Sequence, residues 1–408
     1  RLWIGGAFTQ INGQAAEHLA VVDFANEETQ SFYADSNVNG LTRDLDGRIY
    51  ACGQFTTLND QSLTSLARFD ADAIIDPTWN PNLNGPVFGC ELSNSGLLVA
   101  GEFSLAGDLP AAGVARFDSI DGAVDASFLP NLSGVYSGIE GAQSLSFSVR
   151  ETTNGDIAVG GLYRYVNGLP AASTSILDGQ SGALIMPADA ELPAAVRAIE
   201  QISDHGWVIG GSFRRAGNFL RDNLLFLDND GLIESSWDVG TSGVVSSIES
   251  INSSIYVGGL FSTLGGYIRP SLGRIDIEIG GAEVNKDWVP SLSGSRAVLV
   301  LQYDRHREES IYAGGLFDLE APEKYRAKNL VRLAIDGTGE ADTALSDVAS
   351  SGQINSIAQT KSGTLYLGGT FNEIRGVSRR GLVAFENDNM LTLKPSFDAA
   401  LNNSVWSL

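Results

Sequence analysis

A short phrase recurs eight times along the chain: an apolar run, two small residues, one variable residue and an aromatic residue. The copies begin at Gly5, Cys52, Ala100, Gly160, Gly210, Gly258, Gly314 and Gly368. Their spacing averages about 51 residues, which is typical of a repeat unit of four strands. Because the units fill the whole chain, residues 1–408 are predicted to form a single repeat domain.

Each repeat has the pattern of four β-strands, here called strands A to D. In the last repeat, strand A over 353–358 reaches a polar turn at 361–363, and strand B over 364–367 runs into the glycine pair. Strand C is typified by 65–70. Strand D carries a large aromatic residue in six repeats, namely Phe32, Trp79, Phe128, Trp237, Trp288 and Phe397. Alternation with a period of two, without a helical period of useful length, predicts an all-β chain whose strand D aromatics are core residues.

The small residues at the end of strand B predict how the sheets pack. Glycine lacks the Cβ atom that would keep a neighbouring backbone away, and the following aromatic residue can fill the wedge between two sheets. Radial packing of four-stranded antiparallel sheets produces a β-propeller, here with eight blades. The last residues, 403–408, align with strand A and the first residues, 1–5, align with strand B. The first blade is therefore predicted to be closed by the N-terminal and C-terminal strands.

The residues of the repeat resemble a known family. Gly-Gly-x-Phe, the Leu-Ala-Arg-Phe-Asp strand over 66–70 and the Asp-Ala-Ser-Phe segment over 125–128 are similar to the delta-60 repeats of large secreted or surface-attached bacterial proteins, with kelch repeats as the nearest competing match. The resemblance covers essentially the whole chain, although Cys52 and Ala100 replace a first glycine and Tyr163 replaces a phenylalanine. It implies a propeller with an extracellular binding or adhesive role and carries no catalytic residues to transfer.

The charge balance excludes several classes of partner. The chain has 49 Asp and Glu against 26 Lys and Arg, a formal net charge of -23, which disfavours nucleic acid and anionic lipid. No run approaches the roughly 18 apolar residues of a membrane-spanning helix, so membrane insertion is not expected. Without a signal peptide at Arg1, the sequence is interpreted as a mature product or a segment of a larger surface protein.

Candidate metal and redox residues are few. His18, His205 and His306 lie far apart without the spacing of metal ligands, and Asp/Gly segments such as 44–47 and 228–231 are best explained as hairpin turns. Surface calcium is the one cofactor left open. Cys52 on strand B of repeat two and Cys90 on strand A of repeat three could meet across adjacent sheets. Free buried thiols are nevertheless favoured over a disulfide.

Loop length points to one face of the disc. In a four-stranded blade, the B–C and D–A connections emerge on one face, whereas the A–B and C–D turns emerge on the other. A long D–A stretch at 133–141 and an extended B–C loop at 320–328 both lie on the first face, and an insertion at 304–309 lies opposite. Because strands repeat while loops vary, this first face is the expected site of function.

Basic residues are concentrated in the same loops. The B–C loops of repeats four to eight hold 11 of the 26 Lys and Arg residues, and those of repeats one to three hold none. Arginine binds carboxylated or sulfated groups bidentately, which predicts a ligand-binding surface. Its residues are Tyr136, Arg164, Arg214, Arg215, Arg221, Arg269, Lys324, Tyr325, Arg326, Lys328, Arg375, Arg379 and Arg380. The competing interpretation is that these arginines neutralise nearby acids and stack on loop aromatics.

These features predict a non-enzymatic binding module of a bacterial surface or secreted protein, whose B–C and D–A face contacts a glycan or a protein. One alternative is a hydrolase or lyase acting on an acidic polysaccharide through carboxylates over the central channel. The other is a structural subunit that docks through the faces of the disc. Clustered carboxylates with strongly shifted pKa values in a deep pocket would favour the enzyme, exposed Tyr and Arg would favour binding, and a flat apolar patch would favour assembly.

Overall fold

The computed structural model describes the chain except for residues 24–27, 135–144, 153, 172, 186–195, 203–205, 229–231, 279–280, 291, 294–296, 322–324, 343–344, 346–350, 387, 389–390, 395–396 and 398. The described residues form strands and turns without an α-helix, as the sequence predicts. Within this part of the chain, no helix has the length and apolar character needed to span a membrane.

The repeats form separate antiparallel sheets of three or four strands. The strands of these main sheets are, in chain order, β1 (Leu2–Gly6), β4 (His18–Asp23), β5 (Glu28–Tyr33); β6 (Val38–Arg43), β7 (Ile49–Gly53), β10 (Leu66–Phe69); β11 (Val87–Ser93), β12 (Gly96–Gly101), β15 (Val114–Phe117); β17 (Leu145–Glu151), β18 (Ile157–Leu162), β21 (Thr174–Leu177); β22 (Val196–Ile202), β23 (Gly206–Gly211), β26 (Leu224–Leu227); β27 (Val244–Ile251), β28 (Ser254–Leu260), β31 (Leu272–Glu278), β32 (Gly281–Val284); β34 (Val298–Tyr303), β35 (Ser310–Ala321), β36 (Tyr325–Ala334); β37 (Ile354–Gln359), β38 (Leu365–Gly369), β41 (Leu382–Phe385); and β42 (Val405–Ser407).

Short two-residue strands form hairpins inside the B–C connections. They are β2 (Gln10–Ile11) with β3 (Gln14–Ala15), β8 (Thr57–Leu58) with β9 (Gln61–Ser62), β13 (Leu105–Ala106) with β14 (Leu109–Pro110), β19 (Tyr165–Val166) with β20 (Leu169–Pro170), β24 (Arg215–Ala216) with β25 (Phe219–Leu220), β29 (Thr263–Leu264) with β30 (Tyr267–Ile268), and β39 (Glu373–Ile374) with β40 (Val377–Ser378). Two further strands, β16 (Leu132–Ser133) and β33 (Leu292–Ser293), precede the next repeat and pair with β19 and β35.

The strands A of the repeats contact one another in series. β6, β11, β17, β22, β27, β34, β37 and β42 each contact the next strand in this order, and β42 contacts β6. β42 also pairs antiparallel with β1, with Ser407 opposite Gly5 and Val405 opposite Gly6. The space beside the strands A is here called the central channel.

The two small residues at the end of strand B allow two different close approaches. A Cβ atom on Gly258 would lie 2.6 Å from Cγ1 of Val298 in the next repeat, and one on Gly259 would lie 2.1 Å from the Val244 carbonyl oxygen in its own sheet. Real Cβ atoms do not approach so closely, because close-packed interiors leave no room for the added atom. The pair is thus small because one glycine packs against the neighbouring sheet and the other against strand A.

Among the described residues, the segment predicted as strand D is a strand in repeats one (β5) and six (β32), whereas in the other repeats it makes a single bridge with strand C, so the prediction of four strands in every repeat is corrected. Side chains of this segment connect a sheet to the next one. Trp79 is fully buried and its Nε1 donates to the carbonyl oxygen of Asp118, in the C–D turn of the next repeat, at 3.2 Å. Arg68 pairs with Asp76 at 2.5 Å and donates to the Ile120 carbonyl oxygen of the same turn at 2.6 Å. All six strand D aromatics are buried, so their assignment to the core is confirmed.

The two cysteines form a disulfide, and the preference for free thiols is wrong. Cys52 on β7 and Cys90 on β11 are bonded across adjacent sheets, with their Cα atoms 6.3 Å apart. Gly40 on β6 makes room for this bond, since a Cβ atom there would lie 2.8 Å from Sγ of Cys52 and 3.4 Å from Sγ of Cys90. The proximity depends on how two sheets pack, which sequence spacing does not reveal.

Candidate functional site

Four charged side chains occupy the same position on four successive strands A. The four residues are Glu91, Arg150, Glu200 and Glu249. Each is paired with a residue of strand B, and that residue lies two positions before the first small residue of the repeated phrase. The repeat thereby brings charged side chains from four sheets to one cavity. We call these four residues the acidic pocket. With Arg197 and neighbouring strand A residues, they line a cavity of about 340 Å³.

Arg150 lies between two of the glutamates of the acidic pocket. Its guanidinium is ion-paired with the Glu200 carboxylate, and its Nε lies 4.0 Å from Oε2 of Glu91. Glu249 has no such partner among the described residues, and its Oε1 accepts a hydrogen bond from the Tyr303 backbone N–H at 3.2 Å. Arg150 therefore offsets chiefly the charges of Glu91 and Glu200, whereas Arg150 and Arg305 act on the partly buried Glu249 without forming an ion pair with it.

The pKa values of the pocket follow from burial. Burial, together with the nearby Glu200 carboxylate, raises the pKa of Glu249 to about 7. Burial also raises the pKa of Glu91 and of Glu200, although Arg150 opposes both increases. A carboxyl group with a pKa near 7 is present in both its protonated and its ionised form at neutral pH. The enzymatic alternative expected carboxylates over the central channel, but the sequence identified none of these four residues.

Three of the predicted ligand-binding arginines are structural. Arg221, Arg269 and Arg379 are buried. Arg221 donates to the carbonyl oxygens of Leu220 at 2.8 Å and Ser235 at 3.1 Å. Arg269 and Arg379 likewise donate to the carbonyl oxygen of the preceding residue. Their guanidinium groups thus donate to backbone carbonyl oxygens of their own repeats, which agrees with a structural role, and their contact with a ligand stays a prediction.

The remaining predicted residues differ in exposure. Arg375 is half-buried, donates to the Leu391 carbonyl oxygen at 2.8 Å and lies over the Phe385 ring. The exposed ones are Arg164, Arg214, Arg215, Lys328 and Arg380. Tyr136 and Lys324 lie outside the described residues, as do the side chains of Tyr325 and Arg326.

Apolar side chains are exposed beside these cations. Leu220 on β25 is 71% exposed and Ile268 on β30 is 76% exposed. Their hairpin neighbours Phe219 and Tyr267 are also exposed, as is Leu169 on β20 of the preceding repeat. We call the following set the hairpin surface: Arg164, Leu169, Arg214, Arg215, Phe219, Leu220, Tyr267 and Ile268. Its cations were predicted from the sequence but its apolar residues were not, although they recur at two consecutive positions of the hairpins.

The candidate metal ligands do not cluster in the part of the chain that the structure describes. No group of three or more His, Cys, Asp or Glu side chains there could hold a metal ion. The Asp/Gly turns use their carboxylates locally, since Oδ1 of Asp118 accepts hydrogen bonds from the backbone N–H groups of Ile120 at 2.6 Å and Asp121 at 3.0 Å. This is the hairpin-turn arrangement that the sequence analysis favoured over a calcium loop.

Comparison with known families supports the repeat assignment. Two stretches of the chain, residues 45–78 and 95–128, match the family described as domain of unknown function (DUF5122) beta-propeller. The resemblance to a β-propeller repeat family is thereby confirmed. No curated protein matches the sequence.

Several solved structures resemble the chain in fold. A provisionally assigned 6-phosphogluconolactonase from Bacteroides fragilis is 12% identical with a TM-score of 0.47, over 99% of this chain and 96% of that chain. Virginiamycin B lyase from Staphylococcus aureus is 13% identical with a TM-score of 0.45, over 83% and 94%. The extracellular domain of a provisionally assigned one component system from B. thetaiotaomicron is 13% identical with a TM-score of 0.43, over 96% and 53%. Similarities of this size transfer no activity to this chain.

Proposed function

We propose that this chain, built from β-propeller repeats, is a non-catalytic binding module that contacts a protein partner through the hairpin surface. The proposal rests on one observation: exposed apolar side chains lie beside exposed arginines in the B–C hairpins of repeats four and five, and Tyr267 and Ile268 are exposed in the hairpin of repeat six. Aromatic residues and arginine are the residue types enriched in protein interfaces. Apolar residues exposed in several neighbouring loops are a common mark of an interaction surface.

A protein partner is favoured over a glycan by Leu220 and Ile268. The hydroxyl groups of a sugar need hydrogen-bond partners when they lose water, and aliphatic side chains cannot supply them. A protein surface with apolar and acidic groups would match both the apolar residues and the arginines. Binding of a glycan instead of a protein is therefore one of the outcomes that the test distinguishes.

We also infer that the chain is a single domain of eight blades arranged in a ring. Two observations support this inference: the strands A contact one another in series with β42 beside β6, and β42 pairs with β1. In such a ring the hairpin surface lies on one face of the disc, and the A–B and C–D turns lie on the other. The two faces can therefore be tested separately.

A location on the bacterial surface, or secretion, is part of the proposal. The Cys52–Cys90 bond supports it, because disulfides persist mainly in oxidising compartments. The family resemblance points the same way, since such repeats occur in secreted and surface-attached proteins. An adhesive role would follow if the partner lies on another cell.

The test compares hairpin variants with a matched variant on the opposite face. Leu220→Asp and Ile268→Asp place a charge on the hairpin surface, whereas Ile120→Asp does so in a C–D turn where the side chain is 68% exposed. Cross-linked partners from the extracellular fraction of the native host are identified for each variant, and a glycan array is probed in parallel. We expect one protein partner to bind the wild type and Ile120→Asp but neither hairpin variant. Retention of all partners by the hairpin variants, or binding to glycans alone, would refute the proposal.

Glu249 favours a second candidate function, a hydrolase or lyase acting on an acidic polysaccharide. A carboxyl with a pKa of about 7 beside a second carboxylate is suited to donate or accept a proton at neutral pH. The test measures cleavage of polysaccharides rich in uronic acid by the wild type and by Glu249→Gln. Turnover that disappears in Glu249→Gln would support catalysis. The absence of turnover by the wild type on all of these substrates would leave the binding module as the function.

A further inference from the structure

We propose that a second cavity, on the A–B turn side of the central channel, binds a small hydroxylated anion. The cavity has a volume of about 560 Å³, which is within the usual range for small-molecule sites. Its walls come from strands A of repeats seven and eight and from the turns that follow them. Its polar lining consists of Gln302, Arg305, His306, Gln359, Thr360 and Lys361, and Leu408 at the end of the chain also lines it. We call this the turn-side cavity.

The charge of the turn-side cavity is opposite to that of the molecule. Arg305 and His306 come from the turn after β34, and Lys361 comes from the turn after β37. No Asp or Glu is among the residues that line it, although the chain carries a formal net charge of -23. The charge of Arg305 also acts on Glu200 and Glu249, which lie outside the lining of this cavity. Basic side chains therefore face the cavity without an acidic side chain in its walls, which favours an anionic occupant.

Hydrogen bonds to the side chain of Asp304 hold the turn that carries Arg305. This residue is fully buried, and its Oδ1 accepts hydrogen bonds from the His306 backbone N–H at 3.1 Å and from Nε2 of Gln359 at 2.8 Å. Burial would raise the pKa of Asp304, but hydrogen bonds from Gln359 and Tyr312 outweigh it and lower the pKa. An ionised Asp304 therefore joins the turn of repeat seven to strand A of repeat eight, and the two cationic turns are held beside each other.

The side-chain amides of Gln302 and Gln359 add hydrogen-bond acceptors to the turn-side cavity. Nε2 of Gln359 is used by Asp304, and Nε2 of Gln302 donates to the Tyr303 carbonyl oxygen at 3.2 Å. Each amide thus uses one of its two N–H groups within the protein, and its oxygen is an acceptor for a ligand. Amide oxygens accept hydrogen bonds from hydroxyl groups, whereas Arg and Lys bind carboxylate or phosphate. The combination suits a sugar-sized molecule that carries an acidic group.

The test is calorimetric titration of the whole chain at low ionic strength with three probes: glucuronate, glucose 6-phosphate and inorganic phosphate. Glucuronate and glucose 6-phosphate distinguish a carboxylate from a phosphate ligand, and inorganic phosphate shows what the anion contributes alone. The variants are Arg305→Gln and Lys361→Gln. Arg43→Gln is the control, because it removes the same charge near the equivalent turn of repeat two but does not line the cavity. Thermal unfolding of each variant establishes that it is folded.

We expect saturable binding of at least one hydroxylated anion with a stoichiometry of one. Arg305→Gln and Lys361→Gln should each weaken it tenfold or more, and Arg43→Gln should leave it within twofold of the wild type. Absence of saturable binding for all three probes would overturn the proposal. An equal loss in Arg43→Gln would also overturn it, because the effect would then come from overall charge. These results do not depend on the hairpin surface, so the two proposals can fail separately.

Discussion

Asp76 accepts a hydrogen bond from Arg68 at 2.5 Å, and this pair joins two strands of one sheet to the turn of the next. The hydrogen bonds from Arg68 and Thr78 lower the pKa of Asp76 from 3.8 to about 2. The folded state therefore holds this carboxylate more strongly ionised than the unfolded chain does. Its contribution to stability is complete above about pH 4 and is lost as the pH falls through 2.

Asp76→Asn is expected to lower the free energy of unfolding at pH 7 by about 1–2 kcal/mol, because the buried Arg68 loses its ionised partner. It should also flatten the acid dependence of stability between pH 4 and pH 2. Urea unfolding across this pH range measures both effects. Asp72→Asn is the control, since Asp72 is exposed and lies 3.7 Å from Arg1, and it should change stability by less than about 0.5 kcal/mol.

The Cys52–Cys90 disulfide is expected to stabilise the fold across two sheets. It closes a sequence separation of 38 residues, for which the loss of unfolded-state entropy corresponds to about 2–4 kcal/mol. Replacing both cysteines by alanine should lower the free energy of unfolding by that amount. Urea unfolding with and without a reductant measures it, and the reductant should have no effect on the double variant. Equal stability of the oxidised and reduced wild type would contradict the prediction.

Glu249 is expected to make the protein less stable as the pH rises. Its pKa is raised from 4.5 to about 7 in the folded state, so folding takes up a proton between these values. The stabilising contribution is present below about pH 4.5 and is lost as the pH rises through 7. Glu249→Gln should therefore be more stable than the wild type by about 1–2 kcal/mol at pH 8 and similar to it at pH 4.5. Thermal unfolding at several pH values tests this, with the exposed Glu373→Gln as a control that should leave the pH profile unchanged.

Gly258→Ala should be destabilising by about 1–3 kcal/mol, because the new methyl group would meet Val298 of the next sheet. Gly281→Ala on β32 is a matched control, since no atom outside its chain neighbours lies within 4 Å of a Cβ atom there. Urea unfolding of the two variants compares the positions directly. A similar stability of both would show that the close approach at strand B does not constrain the fold.

Much of the fold follows from the repeat itself. The glycine pair and the strand D aromatics are set by packing between neighbouring sheets, so each recurs at a fixed place in the sequence. Trp79 and Trp288 are recognisable as core residues for that reason. The disulfide was not predicted, because the distance between Cys52 and Cys90 depends on the relative placement of two sheets.

The candidate site was predicted less completely. Arg221, Arg269 and Arg379 stand at one position of their B–C loops, and this recurrence itself indicates a structural role that a count of charges overlooks. The acidic pocket could not be recognised from sequence spacing, because the A–B turns differ in length. Glu91 and Glu249 lie nine residues before the first small residue of the phrase, whereas Arg150 and Glu200 lie ten residues before it. Only the strand register shows that the four positions are equivalent.

Hydrogen–deuterium exchange of the chain with and without its partner would test the binding surface most directly. We expect slower exchange on binding in the hairpins over residues 214–221 and 262–269, and no change in the C–D turn over 118–122. Protection confined to the C–D turn, or to the strands that line the acidic pocket, would contradict the assignment of the hairpin surface as the recognition site.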